Sequence, residues 1–205
     1  QDLIRDVVTP FAEDTEGRYI GCWPGTEPNH GSDTIYATGD FAQSEIHMDC
    51  MARKDADEWV INGQKSAWVS NGTIATHALL WVGVYPERGM SGSGFAVVPL
   101  DLPGVSRGKP TDKIGQRALN QGEIFFENVR IPSYYMVIQP EMISALTPRL
   151  FAMTNAGLGA TFVGVARAAF EEALAYCEQR VQGGVSIANH QLVQRRLFDM
   201  FTKVE

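Results

Sequence analysis

The sequence predicts an α+β protein in which an antiparallel β-barrel or sandwich domain is followed by helices of an up-down four-helix bundle. Between residues 20 and 138, short apolar runs rich in β-branched and aromatic residues alternate with Gly, Pro, Asn and Asp. Beyond residue 139 the apolar period lengthens from two to between three and four. Hydrophobic residues make up 44% and charged residues 20% of the 205 positions, the balance of a chain that packs a core.

Each element follows from a local pattern. Residues 1–8 read as a polar helical stretch with too few apolar positions to build a core. From Ser44 to Lys54 the chain alternates in part, Ile46, Met48 and Cys50 against Glu45, His47 and Asp49, the period of a half-buried strand. Trp59-Val60-Ile61 runs into Asn62-Gly63, a dipeptide suited to a tight hairpin turn, and a hairpin is expected there. Residues 67–70, 78–85, 94–99 and 123–127 supply further short strands.

Thr147-Pro148 has the form of an N-cap followed by proline at the first helical position. Phe162, Val165, Ala169, Ala173 and Tyr176 then step by three or four, the stripe of a long amphipathic helix. Gly157, Gly159 and Gly164 lower helix propensity but admit another backbone at close range. Gln182-Gly183-Gly184 closes that helix, Asn189 is placed to cap the next, and residues 191–204 continue it. The chain opens at Gln1, and the rhythm of Val193, Leu197, Met200, Phe201 and Val204 still runs at Glu205 without a stop signal. A segment of a longer protein is the expectation.

Charge and composition exclude several classes. Seventeen basic against 24 acidic residues give a net charge of −7, which disfavours nucleic acid as a partner, since phosphate binding rests on Lys and Arg. Cys22, Cys50 and Cys177 are far apart and odd in number, so neither a disulfide framework nor a structural zinc site is expected. His30, His47, His77 and His190 have no metal-ligand spacing and read as turn, surface or structural residues. No apolar run reaches the roughly 18 residues of a membrane span, and the N-terminal stretch lacks a signal-peptide plan. A cytoplasmic protein is expected.

The most unusual stretch runs from Trp23 to Asp33 and holds Pro24, Gly25, Thr26, Pro28, Gly31 and Ser32. Such a loop can turn backbone N–H groups toward an anion or an acceptor-rich ring. It can equally be an ordinary cluster of turns, which composition alone favours.

The ordered motifs add a resemblance. Thr26-Glu27-Pro28 with Gly31-Ser32-Asp33 resembles the TEPxxGSD signature of the acyl-CoA dehydrogenases. Ile61-Asn62-Gly63-Gln64-Lys65 and Trp68-Val69-Ser70-Asn71-Gly72 resemble that family's NGxK…WITNG segment. Residues 122–132 resemble its FxxVxVP strand, and Glu178-Gln179-Arg180 with His190-Gln191 its ERxxxG…HQ pair.

The resemblance implies an FAD enzyme: residues 1–19 the tail of a helical domain, 20–138 the β domain that binds flavin and acyl-CoA, and 139–205 the first helices of an incomplete helical domain. It implies α,β-desaturation of an acyl-CoA thioester, electron-transferring flavoprotein as acceptor, and a homodimer or homotetramer. By the same resemblance Trp23, Gly25, Thr26, Gly31 and Ser32 lie along the flavin and its pyrophosphate, with Ser32 also meeting the pantetheine arm of the substrate. Trp68 stacks on the flavin, Val69 lines it, and Ser70 offers its hydroxyl to it. Arg180, Gln182 and Gln191 reach the cofactor of a neighbouring subunit, where a guanidinium suits a diphosphate.

Departures from the pattern matter. Pro24-Gly25 replaces a small or aliphatic pair, Ser66-Ala67 adds a residue before Trp68, Ser70 stands for threonine, and Gly183 for an aromatic. Thr154-Asn155 lacks both the acid and the arginine found in relatives, and threonine cannot serve as a carboxylate base, so the catalytic base is expected outside this chain. A flavin oxidase or monooxygenase of the same fold, and a non-catalytic oligomerising β module, are the alternatives.

Overall fold

Among the described residues, the strands of the β region carry their apolar residues to one core and hydrogen-bond into an eight-stranded sheet. The computed structural model describes residues 1–35 and 45–205. The chain divides into two units, Gln1–Leu146 and Thr147–Glu205.

In the first unit a π-helical turn, Ile4–Val8, leads into α1 (Thr9–Ala12). The strands are β1 (Gly21–Cys22), β2 (Met51–Asp55), β3 (Glu58–Ser70), β4 (His77–Gly83), β5 (Ser93–Pro99), β6 (Val105–Arg107), β7 (Gln121–Pro132) and β8 (Met136–Ile138). Their order is β6-β7-β3-β2-β4-β5-β8, with β1 also beside β4. β1 and β2 run parallel to β4, and the other pairs are antiparallel. Ala52, Ile61, Leu80, Val82, Val98 and Ile124 are each 0% exposed in the core. Burial of a Val, Leu or Ile side chain is worth about 1.5–3 kcal/mol, so this inward set stabilises the sheet.

Several expectations need correction. The strand expected from Ser44 begins at Met51; Met48 and Cys50 are buried as the alternation implied, while Ser44 itself lies outside the described residues. The hairpin is not at Asn62-Gly63. β2 and β3 are joined at Ala56-Asp57, where Ala56 takes φ of 50°, and β3 runs on through Asn62-Gly63 to Ser70. The two runs read separately, 59–61 and 67–70, are thus one strand of 13 residues.

Asn62-Gly63 serves a bulge instead. Ile61 pairs Val129 and Gly63 pairs Phe126, so Glu127 and Asn128 of β7 together face Asn62. The Asn62 side chain fills the break: its Oδ1 accepts from Asn128 N at 2.9 Å and its Nδ2 donates to Asn128 Oδ1 at 3.3 Å. Gly63 has φ of +140°, and a Cβ there would stand 2.5 Å from Cys50 Cα. The glycine signal was real, but it marks close approach of backbones rather than a turn.

The long helix α2 (Pro140–Gln179) starts in the first unit and continues in the second. Its start is Pro140, not Thr147, and Pro148 lies inside it. Proline suits a first turn because its missing N–H would be unpaired there; inside a helix, as at 148, it deletes an internal hydrogen bond and crowds the carbonyl four residues back.

Within the second unit, β9 (Val181–Gln182) and β10 (Val185–Ser186) form a small hairpin through Gly183 and Gly184, at φ of +65° and +82°. α3 (Gln191–Val204) follows, and its N-cap is His190 without a side-chain bond. Asn189 instead ends a short 3₁₀ turn and donates through Nδ2 to Ser186 O at 3.3 Å. Phe162, Val165 and Tyr176 of the expected stripe are exposed. Ala173 of that stripe is partly covered, as are Phe170, Leu174 and Cys177 beside it, and Phe170 lies 5.9 Å from Phe201 of α3. Among the described residues no helix is long and apolar enough to cross a membrane. All three cysteines are free.

Gly63→Ala should lower unfolding stability by about 2–3 kcal/mol, read as a reduced urea midpoint at unchanged m, because overpacking and an unfavourable φ add.

Candidate functional site

The loop that begins at Trp23 is bolted to β3 by paired bonds. The register between β3 and β7 slips between Lys65 and Val69, which releases Ser66 from the ladder. Ser66 N then donates to Thr26 O at 3.1 Å, and Thr26 Oγ1 donates to Ser66 O at 2.6 Å. The extra Ser66-Ala67 residue noted in the sequence is absorbed in this bulge.

Beside that contact lies an ion pair with both side chains 0% exposed: Lys65 Nζ stands 2.6 Å from Glu27 Oε1. Lys65 Nζ also donates to Gly25 O at 3.2 Å and approaches Met48 Sδ at 3.4 Å. Glu27 in turn accepts from Asp49 N at 2.6 Å and Cys50 N at 3.0 Å. Burying such a pair costs several kcal/mol per ion, and only this full set of partners offsets it. Sequence reasoning missed its role. The available signal was Lys65 on the inward face of β3, at the parity of Trp59 and Ile61, where an unpaired lysine is not found.

The rest of the loop is set by the sheet and by its own turn. Trp81 N donates to Pro24 O at 3.3 Å, and the Trp23 ring lies 6.4 Å from Phe95, itself stacked on Trp81 at 5.1 Å. Glu27 N donates to His30 O at 2.9 Å and His30 N to Glu27 O at 3.3 Å, closing a tight turn over Pro28-Asn29. His30 Nδ1 faces Asp33 Oδ2 at 2.8 Å, and Asp33 Oδ1 accepts from Gly31 N at 2.6 Å.

Glu27, His30 and Asp49 bring ligand-type atoms within 4.8 Å of one another, an arrangement no sequence spacing announced. Their bonds go to protein groups: Glu27 to Lys65 and two amides, His30 to Asp33, Asp49 to Asn29 at 3.1 Å.

Partial burial works against the charged form of His30, but the hydrogen bond and charge of Asp33, with Asp49 and Glu27, raise its pKa above the usual value. Partial burial likewise opposes the Asp33 carboxylate, yet His30 and the Gly31 amide hold its pKa below the usual range. The His30 contribution to stability is full below its ordinary pKa of about 6.5 and is lost as pH rises through the raised value. The Asp33 contribution is present above its ordinary pKa and is lost as pH falls through the lowered one. The loop is therefore held best in mildly acidic to near-neutral solution.

A groove of about 420 Å³ opens here, lined among others by Thr26, Pro28, His30, Ser66, Ala67 and Trp68. Trp68 is 61% exposed, while Val69 is 1% exposed and belongs to the core. Strand alternation therefore puts Trp68 and Ser70 on the same, outward face, and Val69 can offer a ligand only its backbone. The Thr26 hydroxyl spends its proton on Ser66, so toward the groove it is an acceptor. The Gly31 amide is engaged by Asp33. Ser32 is exposed at the start of a 3₁₀ turn, Ser32–Thr34. In the second unit, Arg180, Gln182 and Gln191 are exposed around the α2–α3 connection, with Gln182 O bonded to His190 Nε2 at 3.1 Å.

Comparison with known proteins follows the same division. The acyl-CoA dehydrogenase middle-domain profile matches residues 22–129 and the C-terminal-domain profile residues 145–205. The short-chain specific mitochondrial acyl-CoA dehydrogenase of Rattus norvegicus is 31% identical over 198 residues, covering 97% of this chain and 44% of the relative. The chain thus spans less than half the length of that protein. The butyryl-CoA dehydrogenase structure from Megasphaera elsdenii superposes with TM-score 0.78 at 26% identity, covering 92% of this chain and 46% of that one. The prolyl acyl carrier protein oxidase AnaB superposes with TM-score 0.80 at 26% identity, covering 91% and 46%.

Lys65→Met should cost about 3–5 kcal/mol in denaturant unfolding, since it leaves Glu27 buried without its cation. Asp33→Asn should return the His30 pKa toward its ordinary value, seen as a lower midpoint in an NMR titration of the imidazole.

Proposed function

Because the chain belongs to the acyl-CoA dehydrogenase family, we propose that it supplies the FAD- and acyl-CoA-binding β domain of an oxidoreductase that desaturates an acyl-CoA thioester between its α and β carbons. The observation that carries this reading is the exposed Trp68 indole beside the groove rimmed by Thr26 and His30. A flat aromatic face left in water next to a rigidly held polar loop suits a planar, acceptor-rich ring. FAD, when bound, supplies the two-electron acceptor for the reaction.

This chain's own residues would bind and orient. Trp68 presents its face, Ser70 a hydroxyl on the same side, and Thr26 an acceptor oxygen. Trp23, Gly25, Gly31 and the backbone of Val69 shape the surrounding surface. Ser32, exposed at the loop's outer end, would meet the phosphate and pantetheine parts of cofactor and substrate on this reading. Arg180, Gln182 and Gln191 would serve the cofactor of a second copy in a homodimer or homotetramer. The proton-abstracting base lies outside this chain on this reading, and electrons pass to an electron-transferring flavoprotein.

The similarity to AnaB, which is named an oxidase, favours one second reading: the same flavin site handing electrons to dioxygen. Dioxygen consumption against dye reduction, measured with an acyl-CoA thioester, separates the two.

Titration of the purified protein with FAD should give a retained flavin spectrum, and Trp68→Ala should weaken binding about fivefold, the worth of roughly 1 kcal/mol of aromatic stacking. Equal affinity in the variant, whose fold the exposed side chain does not support, would sink the stacking role.

A further inference from the structure

We infer that Gln121 is a positioning residue that holds Ser70 as a hydrogen-bond donor toward the face it shares with Trp68, an assignment that rests on the flavin reading above. Gln121 and Ser70 are direct partners across β7 and β3. Gln121 Nε2 donates to Trp68 O at 3.3 Å and to Ser70 Oγ at 3.1 Å.

The first bond fixes the amide orientation. A backbone carbonyl can only accept, so the nitrogen and not Oε1 must face β3. That nitrogen has two hydrogens, one for each acceptor. Ser70 Oγ is thereby an acceptor toward Gln121, and its own proton is left for a group outside the strand pair. A lone pair on an unprotonated ring nitrogen or a carbonyl is the chemistry such a donor recognises.

The bracket is rigid. Asn71 N donates to Asn120 O at 2.7 Å, and Asn120 Oδ1 accepts from Thr73 N at 3.2 Å and Thr73 Oγ1 at 2.8 Å. Thr111 N donates to Gln121 O at 2.8 Å. Next to it, a Cβ on Gly122 would stand 2.4 Å from Thr73 Cγ2, and one on Gly72 2.7 Å from Gly122 O. A side chain mounted on backbone this tightly packed keeps its partner's hydroxyl in one orientation at little further entropic cost.

The test compares Gln121→Met, Gln121→Glu, Ser70→Ala and the double variant Gln121→Met/Ser70→Ala. FAD affinity is read by flavin fluorescence, and the bound state by the position of the visible flavin band. Gln121→Met keeps the volume and removes the donor; it should weaken FAD binding about three- to tenfold and shift the band in the direction that Ser70→Ala does. Gln121→Glu accepts instead of donating and draws the Ser70 proton to itself, so its loss should exceed that of Met. In the Ser70→Ala background, Gln121→Met should add nothing.

Wild-type affinity and band position in both Gln121 variants would overturn the assignment. So would an undiminished Met effect in the Ser70→Ala background, which would make Gln121 a support of the fold alone. If Gln121→Met does not fold, Gln121→Glu against Ser70→Ala gives the same decision. A wild-type protein that binds no FAD removes the flavin reading itself, and this assignment with it.

Discussion

The buried pair of Lys65 and Glu27 is the contact on which the candidate site depends. Loop, strand and the segment before β2 meet at these two side chains: Lys65 is fixed in β3, Glu27 in the loop, and Asp49 and Cys50 lead into β2. An ion pair with no access to water is tolerated only when every strong donor and acceptor is matched, and this one is. The consequence is a loop without regular secondary structure that is nevertheless tied to the sheet through Gly25, Thr26 and Glu27.

Two irregularities in the β3–β7 ladder do the remaining positioning. The first, at Asn62-Gly63, lets β3 pass within contact of Cys50. The second, between Lys65 and Val69, turns Ser66 toward Thr26 and resumes the ladder so that Val69 points into the core. With Val69 inward, Trp68 and Ser70 are carried outward together, and the proposed flavin face follows from that parity. Regular pairing would have bonded Ser66 to β7 and left the loop without its anchor.

Much of this was legible in the residues, for stated reasons. Val, Ile, Trp and Phe in short runs, broken by Gly and Pro, announced the strands of the β region, because a half-buried pleated surface selects those side chains. Gly183-Gly184 marked a break after α2, but the helix already stops at Gln179, and the positive φ of both glycines serves the turn between β9 and β10. The motifs around Thr26 and Trp68 pointed to the candidate site by resemblance, and the fold brings those two segments into one groove. Misreadings came from signals with two physical uses. Asn62-Gly63 suits a turn but also suits a bulge; Pro148 suits a helix start but here lies about two turns inside a helix that begins at Pro140.

The sequence by itself determined the class of the fold, the family to which the motifs belong and the change from strands to helices, because periodicity and local backbone preference are properties of short segments. Tertiary structure alone decided that Lys65 meets Glu27, that the Thr26 hydroxyl is spent on Ser66, and that Gln121 faces Ser70. Those partners lie 38, 40 and 51 residues apart. Nothing local in a chain specifies which distant donor will meet which acceptor; only the assembled sheet, with its bulges in place, brings them within a hydrogen bond's reach.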